Sequence, residues 1–270
     1  MTGRPVPTAA PGPGRRAAAD PIQAPGTPEQ DWRAWAPLHR LPAVDPLACL
    51  PARPDGPPVV LVVAAHPDDE VLGFGGTIAV LAAAGVRVRL VSVTDGEASH
   101  PHSTAAAARD LAALRARELR RATRELGADV PAVRLGLPDS GVARHEPALA
   151  AELTGLLADC DLCVAPFSAD LHPDHEAAGR AALAAGAARG VPVWEYPVWA
   201  WHWAVPGDPR LPWSRAARIA LPPAARARKH AALRCFRSQI EPLGNGPGDA
   251  AILPPDELAH FRRDFEVLWR

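Results

Sequence analysis

The chain is 270 residues long, enough to bury one substantial core. Its 29 basic and 30 acidic side chains leave a formal charge of −1, without the basic excess that a nucleic-acid partner calls for. No run of eighteen apolar residues is present, which argues against a helical membrane span.

Residues 1–30 are rich in Pro, Ala and Gly and lack hydrophobic periodicity, so an irregular arm is expected there. It has neither a basic start nor an apolar stretch of the secretory kind, and the expected location is cytoplasmic. Residues 31–270 are expected to form a single α/β domain. Trp32 and Trp35, three apart, predict a helical turn over 31–38 pinned by its indoles.

From Val59 onward strand and helix patterns alternate. Strands are predicted at 59–65, 86–94, 132–135, 162–167 and 191–196. Helices are predicted at 71–84, 105–126, 147–159 and 174–189. Gly85, Gly127 and Gly190 stand where helix C-caps belong. Such alternation implies a Rossmann-like three-layer sandwich with a mainly parallel sheet. Beyond Tyr196 the chain is broken by prolines until helices predicted at 223–238 and 255–268. The four cysteines are read as reduced thiols. Cys160-Asp161-Leu162-Cys163 has the C-x-x-C spacing, but no second pair completes a zinc site and the run leads into a strand, which favours core packing.

The first apolar strand ends abruptly in His66-Pro67-Asp68-Asp69-Glu70. Pro67 cannot extend a central strand, so these residues fall in the loop outside its carboxyl end, where ligands bind in open α/β sheets. Alone, Asp68, Asp69 and Glu70 also suit the cap and first turn of the next helix. A second cluster, His172-Pro173-Asp174-His175, follows the strand at 162–167 to the same edge. A His–carboxylate group at each of two strand-end loops on the same edge points to a divalent cation, most simply zinc. A dinucleotide site is the rival reading of Gly73-Phe74-Gly75-Gly76. Ile78 stands where the third glycine belongs, and phosphate sits badly beside three carboxylates, so close helix–sheet packing is the better account of these glycines.

The stretch Ala65 to Glu70 followed by His172 to His175 resembles the PIG-L/LmbE-like zinc-dependent de-N-acetylases. Thr94-Asp95-Gly96-Glu97, Arg115 with Glu118, and Leu135-Gly136-Leu137-Pro138-Asp139 match in the same order. The tryptophan-rich later half is most similar to deacetylases of teicoplanin-type glycopeptide pseudoaglycones. The resemblance implies metal ligands His66, Asp69 and His175, with Asp68 as general base toward the attacking water. It implies His172 at the oxyanion, oriented by Asp174, and Arg115 and Asp139 at the sugar. Relatives that carry a Tyr two positions before the first His of the second motif differ here, where Asp170 stands. The two-His, one-carboxylate set also fits Fe(II), although iron oxygenases usually build it on a jelly-roll.

Asp95 ends the second strand facing the ligand edge, where it binds substrate or caps its own loop. If 194–203 is extended, Trp199, Trp201 and Trp203 share one face, either closing the core or forming a shelf for an aromatic aglycone. The implied activity is removal of an acyl group from an N-acetylglucosaminyl unit of a small glycosylated substrate. A small GlcNAc conjugate such as GlcNAc-inositol is the alternative substrate, and a non-catalytic metal- or carbohydrate-binding protein the alternative class. The oligomeric state is left open.

Overall fold

The computed structural model describes residues 22, 24–105, 107–128 and 131–270; residues 1–21 and 23 of the expected arm lie outside them. Seven strands form one sheet: β1 (Val59–Ala64), β2 (Arg87–Ser92), β3 (Val133–Arg134), β4 (Leu162–Pro166), β5 (Val193–Tyr196), β6 (Ala216–Ala220) and β7 (Phe265–Trp269). Their order is β3-β2-β1-β4-β5-β7-β6. The first five run parallel, while β7 is antiparallel to both β5 and β6. β1 is buried along its whole length and feeds two cores, Val60 and Val62 facing one and Val59, Leu61 and Val63 the other. That double burial is why it reads as a continuous apolar run.

The helices are α1 (Glu29–Ala34), α2 (Ala36–His39), α3 (Asp69–Ala83), α4 (Ala108–Leu126), α5 (Glu146–Leu156), α6 (Pro173–Arg189), α7 (Ala200–Trp203), α8 (Pro223–Leu233), α9 (Arg237–Ile240) and α10 (Pro255–Ala259). α3, α4 and α8 contribute Phe74, Ile78, Leu119, Leu126 and Leu233 to one core, whereas α5 and α6 cover the other face with Leu149, Leu153 and a run of alanines. This is the expected three-layer arrangement. None of the helices among the described residues is long and apolar enough to cross a membrane.

Gly127 and Gly190 cap α4 and α6 at φ 80° and 67°, as their positions predict. A Cβ on Gly73 would lie 2.0 Å from the Tyr196 ring, so α3 approaches β5 only because that side chain is missing. Buried Cys160 and Cys163 are free thiols, and burial pushes the Cys163 thiol up to about 12, as core packing requires.

The chain departs from the predicted elements toward its end. The helix predicted at 255–268 stops at Ala259, and Phe265–Trp269 becomes β7, paired along its length with β6. The helix predicted at 223–238 breaks after Leu233, because Glu118 of α4 takes both the amide and the hydroxyl of Ser238. Trp32 does pin the start of the chain: its ring lies 5.1 Å from that of Trp201, and its Nε1 donates to the Trp201 carbonyl. Packing begins before residue 31, since Thr27 bonds the carbonyls of His202 and Ala204 and Glu29 opens α1.

α3 is fastened from behind. Glu266 of β7 accepts from the amides of Gly76 and Thr77 and from the Thr77 hydroxyl. Lys229 of α8 bridges Glu266 to the Leu72 carbonyl, with 2.7 Å to each.

Candidate metal centre

The sheet order reverses between β1 and β4, whose carboxyl ends adjoin at a topological switch point. β1 releases His66, and α3 starts at Asp69; β4 releases the loop to His172, and α6 starts at Pro173. The two motifs therefore face each other across one crevice of about 270 Å³.

His66 Nδ1 lies 3.3 Å from His175 Nε2 and 3.6 Å from Asp69 Oδ2, and His175 Nε2 lies 3.3 Å from Asp69 Oδ1. A tetrahedral zinc with bonds of 2.0–2.1 Å needs ligand separations of roughly 3.3–3.4 Å; the His66–His175 and His175–Asp69 separations match, while Asp69 meets His66 at 3.6 Å through its other oxygen. The far nitrogens are occupied. His66 Nε2 faces Asp139 Oδ1 at 3.2 Å and Asp174 Oδ2 at 3.3 Å, while His175 Nδ1 bonds Asp170 Oδ2 at 2.8 Å. Protons on those outer nitrogens leave two lone pairs aimed at one point beside a carboxylate, an arrangement made for a cation. Other groupings place a nitrogen of His172, or oxygens of Asp139 and Asp174, near His66. Asp69 approaches both imidazoles and carries charge, whereas His172 is neutral.

The electrostatics describe a site that favours positive charge, which a proton on each imidazole supplies and a metal ion would replace. Burial alone would lower the His66 pKa, but hydrogen bonds with Asp139, Asp174 and Asp69 raise it well above the ordinary value. His175 is raised against burial by Asp69 and Asp170. Despite its own burial, Asp69 is held far below the usual carboxylate range by His175 and His66. Burial pushes Asp68 up to about 7 against the pull of Arg115, whose Nη2 lies 3.1 Å from Oδ2. Glu70 rises to about 8 through burial and the neighbouring Asp68; one of its oxygens is unpartnered and the other meets the Asp68 amide. Asp68 itself has φ 150° and ψ −27°, a sparsely populated conformation of the kind concentrated at functional sites.

His172 is pushed down to about 2 by burial and by the two other imidazoles, so it is neutral. Its Nδ1 accepts the Asp174 amide at 3.3 Å, leaving Nε2 as the donor. Asp174 therefore touches His172 through its backbone only. Contrary to the expected role, its carboxylate holds His66 and the amides of Ser140 and Val142.

The expected sugar contacts are redistributed. Arg115 is buried, bonding the Pro67 and Gly96 carbonyls as well as Asp68. Asp139 lines the crevice, yet one oxygen faces His66 and the other takes the Ala98 amide. Asp95 turns away into a bidentate pair with Arg134. Trp199, Trp201 and Trp203 form no shelf, because 200–203 is helical rather than extended. Trp199 borders the crevice, Trp201 is buried against Trp32 and Arg263, and Trp203 donates to the Asp170 carbonyl.

The cause of that helix is Asp170, whose carboxylate takes the amides of Val198, Trp199 and Ala200 besides His175. Sequence reading noted Asp170 only as a departure from relatives; an acid five residues before a metal-type His was the available signal. Gln239, also unanticipated, lines the crevice behind Glu118-anchored Ser238.

The family model described as PIG-L, GlcNAc-PI de-N-acetylase, matches residues 61–186. A curated 1D-myo-inositol 2-acetamido-2-deoxy-alpha-D-glucopyranoside deacetylase from Rhodococcus opacus (strain B4) is 43% identical over 93 residues, which are 31% of this chain and 32% of the relative. The chain thus matches about a third of the length of such curated relatives. Among solved structures, a conserved protein from Thermus thermophilus is 31% identical with a TM-score of 0.51, the likeness covering 67% of this chain and 79% of that one. A deacetylase of the teicoplanin biosynthesis pathway is 27% identical with a TM-score of 0.55, over 67% of this chain and 85% of that one.

Proposed function

Because the chain belongs to the PIG-L/LmbE-like family of de-N-acetylases, we propose that it is a metal-dependent amidase acting on an N-acylglucosaminyl group. The observation that carries this is the pair of lone pairs on His66 Nδ1 and His175 Nε2 meeting at Asp69. These three residues would hold zinc, or Fe(II) in its place. Zinc bound there acidifies water and polarises a carbonyl oxygen.

The chain's own groups do the rest. Asp68 stands beside the triangle without closing it, and Arg115 occupies its Oδ2, so Oδ1 takes the proton of the attacking water. Arg115 is thus a positioning group for the base. His172 donates through Nε2 to the amide oxygen as it gains charge. The C–N bond then breaks, and the proton held on Asp68 passes to the departing amine.

For the substrate, the finer reading is an N-acetylglucosaminyl group on a glycopeptide antibiotic pseudoaglycone, supported by likeness to the teicoplanin-pathway deacetylase. A GlcNAc-inositol conjugate is the second reading, supported by the curated relative. Acetate release from both substrates by zinc-loaded protein decides between them. Asp68→Ala is expected to keep its metal and lose roughly a thousandfold in turnover, within the range for a general base. Wild-type turnover in that variant would remove Asp68 from the mechanism.

A further inference from the structure

Gln239 of α9 is only 1% exposed, yet it lines the metal crevice. Its backbone is held at both ends, its amide donating to the Phe236 carbonyl and its carbonyl accepting from the Leu253 amide. The side chain is held too, by hydrogen bonds that arrive from two directions.

From one side, the Ser238 hydroxyl donates to Glu118 Oε2 at 2.7 Å, so its oxygen accepts any further bond. Gln239 Nε2 donates to that oxygen at 2.9 Å. From the other side, His100 Nε2 meets the Ala250 carbonyl at 3.0 Å and must donate to it. Burial lowers the pKa of this ring, so Nδ1 carries no proton and takes the Ser99 hydroxyl at 3.0 Å. Ser99 Oγ therefore accepts as well, and the second hydrogen of Gln239 Nε2 faces it at 3.5 Å. With both hydrogens directed at serine oxygens, the amide has one orientation and Oε1 is the end left over. No group among the described residues donates to it.

A fixed, unpaired acceptor in a crevice wall calls for a donor on the ligand. Arg115 does not supply one, since its terminal nitrogens are turned to Pro67, Gly96 and Asp68. Ionised carboxylate and phosphate ligands bring no hydrogen, whereas a hydroxyl does. Two acids expected at the sugar are also engaged elsewhere, Asp95 on Arg134 and Asp139 on His66 and the Ala98 amide.

We propose that Gln239 is a specificity-determining residue of the crevice, its Oε1 accepting the hydrogen of one ring hydroxyl of the sugar. Ser99 and Ser238 are positioning residues that aim the amide. The proposal rests on the amidase reading of the same crevice.

The test measures acetate release by zinc-loaded protein from methyl N-acetylglucosaminide and its 3-, 4- and 6-deoxy analogues. In wild type one analogue is expected to lose about tenfold in kcat/KM, mostly through KM, the scale of one neutral hydrogen bond. Gln239→Leu should lose about as much on the parent glycoside and bring the ratio between parent and that analogue below about two. Gln239→Met serves if the first variant misfolds. In parallel, calorimetry follows binding of methyl glucosaminide and its deoxy analogues to the same proteins. Equal sensitivity of wild type to all the analogues overturns the proposal. So does a deoxy loss that persists undiminished in the Gln239 variants, which would leave Gln239 a structural residue only. If no glycoside is hydrolysed but the deoxy loss appears in binding and vanishes in Gln239→Leu, the hydroxyl contact stands and the amidase reading falls.

Discussion

Two buried ionic clusters in this molecule carry opposite imbalances. At the start of the chain, Glu29 is a single carboxylate that accepts from Arg263 Nε at 2.9 Å, His260 Nδ1 at 2.9 Å and Arg33 at 3.0 Å. At the β1/β4 crevice, Asp68, Asp69, Glu70, Asp139, Asp170 and Asp174 are six buried carboxyl side chains with one guanidinium, that of Arg115, paired to them. Buried charge is costly unless it is matched. The first cluster is matched from within and joins α1 to the end of the chain. The second relies on one guanidinium, two imidazoles and backbone amides and keeps an excess of acid that a cation from outside would offset, which is the difference between a clasp and a site.

That contrast breaks if the crevice acids turn out to be structural. His175→Ala removes one of the two converging lone pairs and should lose both metal and turnover, by roughly a thousandfold or more for a metal worth several kcal/mol. Metal analysis of the purified variant, read beside acetate release, checks it. His172→Ala should retain metal while kcat falls about a hundredfold, the scale of one oxyanion donor.

Asp170→Asn sharpens the contrast, because Asp170 serves both structure and site. It should weaken metal affinity by about 10–100-fold, measured by competition with a chelator, and also loosen the 198–200 turn. Tryptophan fluorescence of Trp199 and Trp203 would report the second effect.

Smallest is the effect at the matched cluster. Burial would raise the Glu29 pKa, yet hydrogen bonds from His260, Arg263 and Arg33 lower it from 4.5 to about 2. A folded-state pKa below the unfolded one adds stability that is complete above the unfolded value and is lost as pH falls toward the folded one. Thermal unfolding should therefore show extra acid sensitivity between about pH 4.5 and 2. Glu29→Gln should flatten that slope and cost about 1.5 kcal/mol at neutral pH, the low end for hydrogen bonds to charged groups. If it also reduced turnover, the two clusters would not be separable.

What the sequence disclosed follows from range. His66, Asp68 and Asp69 sit within five residues of the end of β1, and His172 to His175 within nine of the end of β4, so the motif, the strand and the edge are read together. The centre of the parallel half was legible for the same reason, β1 and β4 being buried apolar runs. Asp170 was not legible, because its capped amides lie 28 to 30 residues downstream. Without that cap, 199–203 reads as an extended face. The same holds for Asp174, whose carboxylate reaches back to Ser140 and Val142. Ala216–Ala220 has little strand character of its own and becomes β6 through pairing with β7.

Glu266 gives the molecule an order of assembly. The helix that begins at Asp69 is fastened by a carboxylate 190 residues further along the chain, through the Gly76 amide. A chain emerging from the ribosome presents His66, Asp68 and Asp69 early, His175 later and β7 last. Until that strand inserts, Lys229 and the middle of α3 lack their shared partner. The helix that opens at the crevice is thus fully fastened only once β7 has paired, long after its first residues are made.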